Sequence, residues 1–397
     1  MDIVKKKLDL IVIILLSAIA ISIYIPVIKE IISTSGHHDF QWSPTKIMLE
    51  KINHYQYMLD GNTKKILMSQ YGEYLHGLYV ILIPYGLMQW PLAKICWLIT
   101  NILILTYLPI KLSQKFLLSK IETYLVLFFF SCCIVTKVQL ITGQQTLLVL
   151  LFFSLPFIFN SKLSTFFSGI CYFKYTIGYS LFFYFLILKD FKKLFLSVLP
   201  AFFGWIIYSI LTKSNLFDTI FQPFQLAIEN QIIGETVNDM PKNKFLFSIL
   251  ENIKFLDFEY KGLFLLIISL TLSVFLINKI SKIKNDLQKL SCLTLISLIF
   301  LPHYPHDYVL LLPLLIYSIK NFNNLNSKIS LIIIVYFLQF FKGFKNYMIK
   351  LMKLLNFDSI SLNFVEYLIS YSNILILLFL LLINLNNKVY FTKKIKN

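Results

Sequence analysis

Long apolar stretches separated by short lysine-bearing segments set the pattern of this chain. Apolar runs fall at about 9–28, 91–110, 121–137, 145–160, 163–188, 194–212, 261–278, 290–302, 307–320, 329–341 and 364–386. A hydrocarbon core about 30 Å thick asks a spanning helix for roughly 18 or more such residues. Backbone polar groups in lipid must be satisfied within their own segment, so the runs predict helices. The two-residue alternation of an outer-membrane barrel is absent. The pattern therefore predicts an all-α, polytopic membrane protein of about 10–12 transmembrane helices.

Three places break the pattern. Run 163–188 is long for one span and short for two, and it holds Lys174-Tyr175-Thr176-Ile177-Gly178 near its middle. A broken helical hairpin bending there is predicted, of the kind tolerated where it lines a cavity. Piece 77–89 is interrupted by Pro84 and Gly86, which predicts an interfacial or half-inserted helix. Residues 44–59 place Ile47, Met48, Ile52, Tyr55 and Met58 at helical spacing, which predicts an amphipathic helix lying on the membrane.

Composition narrows the class. Of 397 residues, 57% are hydrophobic and 14% charged, where ordinary globular chains carry roughly 25% charged residues. The net charge is +17 and no arginine occurs, so all 37 basic residues are lysines. They cluster at helix ends, which positive-inside bias explains better than a nucleic-acid partner. Cys96, Cys132, Cys133, Cys171 and Cys292 lie in apolar runs without disulfide or metal spacing and read as small core residues. The first run, flanked by Lys5-Lys6-Lys7, reads as a retained signal-anchor.

The same lysines orient the spans. Lys5–Lys7, segment 111–120, Lys189–Lys193, Lys279–Lys289 and the tail from Lys388 read as inside. Loop 29–90, segment 136–145, loop 213–260, turn 303–307 and loop 342–363 then fall outside. Loop 342–363 departs from the trend with Lys342, Lys345, Lys350 and Lys353, and reads alternatively as an interfacial helix drawn to anionic lipid. All six histidines (His37, His38, His54, His76, His303, His306) lie on that outer side, although histidine has no positive-inside bias. Polar chemistry is expected there.

The candidates follow. Asp39, in the stretch GHHDFQW with His38, Phe40 and Trp42, is a carboxylate beside aromatic rings and a candidate general base; it also suits a helix N-cap. Lys174 inside an apolar run is costly, about 2.5–3.5 kcal/mol on insertion scales, and an ammonium there suits a lipid phosphate; snorkelling to the headgroups is the alternative. Gly143-Gln144-Gln145-Thr146 opens a run with free helix N–H groups. His303-Tyr304-Pro305-His306-Asp307 is a dense polar turn whose spacing fits no standard zinc site, so a hydrogen-bonding cluster for phosphate or sugar is expected, with neither metal nor cofactor assigned. Glu235, in loop 213–260, is a candidate on the acceptor side, as are His38 and Trp42. No Walker loop, dinucleotide fingerprint, nucleophile elbow or HExxH motif occurs. An enzyme built this way needs a donor already activated in the membrane.

Taken in order, a first span, Asp39-Phe40, Asp60-Gly61-Asn62, Tyr71 and Tyr74, Trp97 with Asn101, Gly143-Gln144, Gly169 with Lys174-Tyr175, and Leu301-Pro302-His303 with Asp307-Tyr308 form a pattern. It resembles glycosyltransferase family 87, the polyprenyl-phosphate-dependent mannosyl- and arabinosyltransferases of the C-type membrane glycosyltransferase superfamily, over roughly residues 8–320. The resemblance implies inverting transfer of a hexosyl unit, with mannosyl among the candidates, from a polyprenyl-phosphate sugar to a lipid or glycan acceptor hydroxyl outside the membrane. Asp39 matches the general base, Lys174 the lysine near the lipid phosphate, and Gln144, His303 and Asp307 motifs serving donor phosphate or sugar. His306 is expected beside them. Residues 1–320 would form the catalytic transmembrane module and 321–397 further spans with a basic cytoplasmic tail. A bacterial cytoplasmic membrane is the expected location. Lys-Tyr-Thr replaces the usual Lys-x-Pro, and the paired prolines appear only as Pro84 and Pro91. A flippase for a lipid-linked saccharide and an O-antigen-type polymerase are the alternatives. The first should show internal repeats and midplane charges, the second an arginine-bearing outer loop.

Overall fold

The structure, a computed structural model, describes residues 2–33, 40–67, 74–227, 261–301, 303–340, 350 and 359–386. They form helices and turns, with no strand among the described residues. In chain order the helices are α1 (Asp2–Ser33), α2 (Trp42–Leu49), α3 (His54–Leu59), α4 (Gly77–Ile81), α5 (Ile83–Gly86), α6 (Trp90–Lys115), α7 (Lys120–Cys132), α8 (Ile134–Thr142) and α9 (Thr146–Ile158). Then come α10 (Lys162–Ser168), α11 (Tyr175–Ile187), α12 (Phe191–Thr212), α13 (Leu216–Thr219), α14 (Lys261–Ser281), α15 (Asp286–Phe300), α16 (Leu312–Lys320), α17 (Leu325–Val335) and α18 (Ser359–Leu385). Tight 3-10 turns span Gly169–Phe173 and Pro305–Leu311.

Helices α6, α12 and Phe264–Ser281 of α14 are long and apolar enough to cross a membrane. Among the described residues the pair α7–α8 would make a fourth such span, bent by 55°. Its sequence reads as one run, 121–137, yet Cys133 is extended (φ −72°, ψ 153°) and breaks it. The freed groups find new partners. Thr136 donates its hydroxyl to the Phe130 carbonyl at 2.7 Å, and the Ile134 N–H donates to Gln339 Oε1 at 2.9 Å. Such re-satisfaction is what allows a broken helix in apolar surroundings.

At the centre lies α15, in which every residue from Leu290 to Phe300 is buried. A helix apolar all round belongs in a core. Its Ser291, Thr294 and Ser297 return their hydroxyls to carbonyls, Ser297 to Ile177 O on α11 at 2.9 Å. Helices α11, α14, α16 and α18 pack around it.

Residues 40–67 and 74–86 form a platform of short helices on α12. Residues 44–59 are not one helix, as the periodicity suggests. The chain turns at Lys51 (φ 63°) between α2 and α3, and Asn53 caps α3 by accepting from the Tyr55 and Gln56 N–H groups. Nor does the apolar face of this segment lie on lipid. Ile47, Met48 and Tyr55 are fully buried within the protein. Periodicity marks a face that avoids water, and a protein neighbour satisfies it as well as a bilayer does. Likewise 77–89 is α4 and α5, with Leu78 and Tyr79 buried. The platform meets α12 backbone to backbone, since a Cβ on Gly204 would overlap Gly77 Cα. Residues 228–260, 341–349 and 351–358, with Lys342, Lys345 and Lys353, and those from 387 on lie outside the described residues.

Candidate functional site

The predicted break in 163–188 falls at Lys174. Helix α10 and the turn 169–173 lead in, α11 begins at Tyr175, and Lys174 stands between them in neither helix. Its side chain, 9% exposed as a residue, reaches the start of α9 and the turn after α15. Lys174 Nζ lies 2.6 Å from Asp307 Oδ1 and donates to Thr146 Oγ1 at 3.0 Å. Thr146 in turn donates its hydroxyl to Asp307 Oδ1 at 2.5 Å. The second carboxylate oxygen, Oδ2, accepts from the Tyr304 N–H at 3.2 Å and faces His303 Nδ1 at 3.1 Å. His303 Nε2 lies 2.5 Å from the Ser297 carbonyl. His306 Nε2 stands 3.7 Å from Oδ1, its ring stacked on Tyr304.

Three helical beginnings thus converge on one carboxylate: α9 at Thr146, α11 after Lys174, and the turn 305–311 at Asp307 itself. The helix N-termini add positive potential. Burial opposes the charge on Asp307, but Lys174, His306 and His303 outweigh it and hold the carboxyl well below the ordinary carboxylate range. Both ring nitrogens of His303 face acceptors, the Ser297 carbonyl and the Asp307 carboxylate.

Gln144 sits just beyond. Gly143 (φ 63°) ends α8 in the left-handed conformation that only glycine adopts without strain, and its carbonyl accepts from Trp97 Nε1 at 2.9 Å. Gln144 Oε1 accepts from the Tyr74 hydroxyl at 3.4 Å, while Gln139 Nε2 donates to the Gln144 carbonyl at 2.5 Å. Around this turn the buried amides Asn101 Oδ1, Gln139 Oε1 and both ends of Gln145 have no partner among the described residues. Trp42, expected on the acceptor side, donates its indole N–H to the Tyr85 and Met88 carbonyls at 3.0 and 3.3 Å and so ties α2 to α5. Phe40 stacks on Trp97 (5.0 Å between centroids) and Trp90 (5.6 Å), so the residue after Asp39 is anchored on α6. Asp39 itself, His37, His38 and Glu235 lie outside the described residues.

His54 and His76, not singled out for chemistry, join a second cluster. His54 Nδ1 is 2.9 Å from the Tyr208 hydroxyl, and His76 Nε2 is 3.0 Å from the Thr219 carbonyl, among the rings of Tyr55, Tyr79 and Tyr208. Burial pushes the His76 imidazole down to about 4. This cluster locks the platform to α12. Thr146 stands in the Gly143–Thr146 stretch without a side-chain role read from the sequence, yet its hydroxyl joins the Lys174–Asp307 cluster. A hydroxyl at the first position of a helix, directly after the Gly-Gln-Gln turn, is the signal that marks it. Among the described residues no group of three or more His, Cys, Asp and Glu side chains is arranged to hold a metal ion. No family model, curated protein or solved structure matches this chain.

Proposed function

We propose that the chain is an integral-membrane glycosyltransferase of the C-type fold, with about 10–12 spans. It moves a hexosyl unit, mannosyl by family resemblance, from a polyprenyl-phosphate sugar to an acceptor hydroxyl at the outer membrane face. One observation carries the reading. Lys174, Thr146, His303 and Asp307, from three separate motifs, meet in a single buried cluster that places an ammonium among helix beginnings. A phosphate leaving group suits such a site. Lys174 spends two of its three N–H donors, on Asp307 and Thr146, and the third is the one assigned to a phosphate oxygen.

In the proposed reaction the Asp39 carboxylate takes the proton of the acceptor hydroxyl as that oxygen attacks the anomeric carbon. The bond from that carbon to the phosphate oxygen breaks, and polyprenyl phosphate leaves with the electron pair. Its charge is met by Lys174 and the helix ends. A single inverting displacement needs no second carboxylate. The test is donor consumption from a short-chain polyprenyl-phosphate mannose by wild type and Asp39→Asn, each checked for folding and donor binding. A general base contributes about 10²–10⁴-fold, and a loss of that size is expected. Equal consumption by both proteins sinks the mechanism.

A flippase for the same lipid-linked saccharide is the second reading, favoured by the burial of the Lys174–Asp307 pair in an otherwise apolar bundle. Reconstituted vesicles separate the two: a flippase moves the donor between leaflets without consuming it.

A further inference from the structure

The segment that follows α12 turns an apolar face outward. Phe217, Ile220, Phe221 and Phe224 fall at i, i+3, i+4 and i+7, with exposures of 77%, 37%, 64% and 41%. The opposite face is packed on the protein. Thr219, Gln222 and Leu226 are buried, the Thr219 carbonyl meets His76, and Gln222 Oε1 accepts from Asn53 Nδ2 at 2.8 Å. Trp205 Nε1 reaches back to the Leu216 carbonyl at 3.1 Å and to Thr219 Oγ1 at 3.0 Å, holding the segment at the helix end. The outward aromatic face is therefore held in place by contacts on its other side.

What covers that face is indicated by its neighbour. Helix α12 exposes Phe195, Phe202, Phe203, Ile207 and Ile210 along its length. It is one of the helices apolar and long enough to cross a membrane. After Thr212 the chain folds back beside α12, where Trp205 and Ser209 bond to Leu216 and Thr219, so the stripe on 217–224 lies alongside this surface. Between the two stand polar Lys213, Ser214 and Asn215, and beside the stripe Asp218 and Gln225 are exposed. Apolar and aromatic side chains beside polar ones suit the boundary between headgroups and acyl chains. We infer that Phe217, Ile220, Phe221 and Phe224 are seated in the lipid bilayer at the end of α12 that carries the platform, as an interfacial anchor.

The anchor has a consequence for the site. Phe224 packs on Tyr175, the residue after Lys174, with 5.2 Å between ring centroids. A lipid-facing wall then stands next to the buried lysine, and a lipid-borne ligand has an apolar surface to follow toward it. The same segment holds the platform through His76 and Asn53, so the bilayer sets the platform's height. The inference rests on α12 crossing the membrane and is independent of whether sugar is transferred.

Nitroxide-labelled cysteines test it. Labels are placed singly at Phe217, Phe221, Ile207 and Asp60 in a Cys96→Ser background, in nanodiscs of phosphatidylethanolamine and phosphatidylglycerol. The first two side chains are the most exposed of the stripe, so labelling them disturbs little packing. Collision with oxygen should exceed collision with an aqueous nickel chelate at 207, 217 and 221. The order should reverse at 60. Nickel-dominated collision at 217 and 221 overturns the anchor. If 207 is lipid-facing in that case, α12 still spans and only the anchor fails. If 207 is also aqueous, the span fails with it. A second measurement avoids labels: Phe217→Trp should add emission quenched by lipids brominated near the headgroup, and quenching only by aqueous iodide overturns the inference.

Discussion

Asp307 receives hydrogen bonds on both oxygens and is 1% exposed, so what happens when one partner is removed follows from charge burial alone. Asp307→Asn leaves Lys174 buried beside a neutral amide, and stranding one member of a buried pair costs about 3–5 kcal/mol. Thermal unfolding in mild detergent should show a large loss of Tm. Lys174→Met should cost less, because His303, Thr146 and the Tyr304 N–H stay with the carboxylate. Lys174→Met with Asp307→Leu removes both charges and should recover much of the single-variant loss, so the cycle is non-additive. Additive losses would show that the two side chains do not interact. At this scale the chemistry types were readable: a lysine in an apolar run and a carboxylate between histidines both stand out. Their pairing was not, since 133 positions separate them and no local pattern links them.

Elements meet through small residues where the backbone itself is the contact. Gly204 on α12 and Gly77 at the start of α4 touch without side chains, and a methyl group on Gly204 has only backbone to push against. Gly204→Ala should therefore lift the platform from α12. Overpacking of this kind costs about 1–3 kcal/mol. A cysteine placed at Thr45, fully buried in the platform, should react with maleimide faster in the Gly204→Ala background than in wild type. Unchanged labelling would mean that the contact yields without cost. The bend at Cys133 illustrates the same limit on reading elements. The run 121–137 has no proline or glycine to announce it, and the partners that permit it, Gln339 above all, come from the far end of the chain.

For the molecule as a whole, pH is the accessible variable. His76 has a folded value of about 4 against an ordinary 6.5, because burial disfavours its charged form. Between those values the unfolded chain binds a proton that the folded chain does not. Stability therefore rises with pH across this window and is lost as pH falls from 6.5 to 4, by on the order of 3 kcal/mol. Asp307 acts lower down. Its carboxyl is held below the ordinary 3.8, so its contribution is present above that value and disappears only in stronger acid. Unfolding followed from pH 7 to pH 4 should show the histidine slope, and His76→Gln should flatten it. A slope unchanged in His76→Gln would assign it to another group.

The run lengths and the scarcity of charge by themselves determined that the chain is helical and rich in membrane-length apolar segments, because burying unpaired backbone in apolar surroundings is prohibitive. They also located the break at Lys174, where a charge interrupts an apolar run and the helix ends. Only the tertiary structure decided what each apolar face meets. Hydrophobic periodicity reports avoidance of water and is silent on whether the neighbour is lipid or protein, so α2 and α3 proved to be core while 217–224 faces outward. It alone also decided which polar groups share a site. Ion pairs and hydrogen bonds act over a few ångströms of space, and the sequence records distance only along the chain.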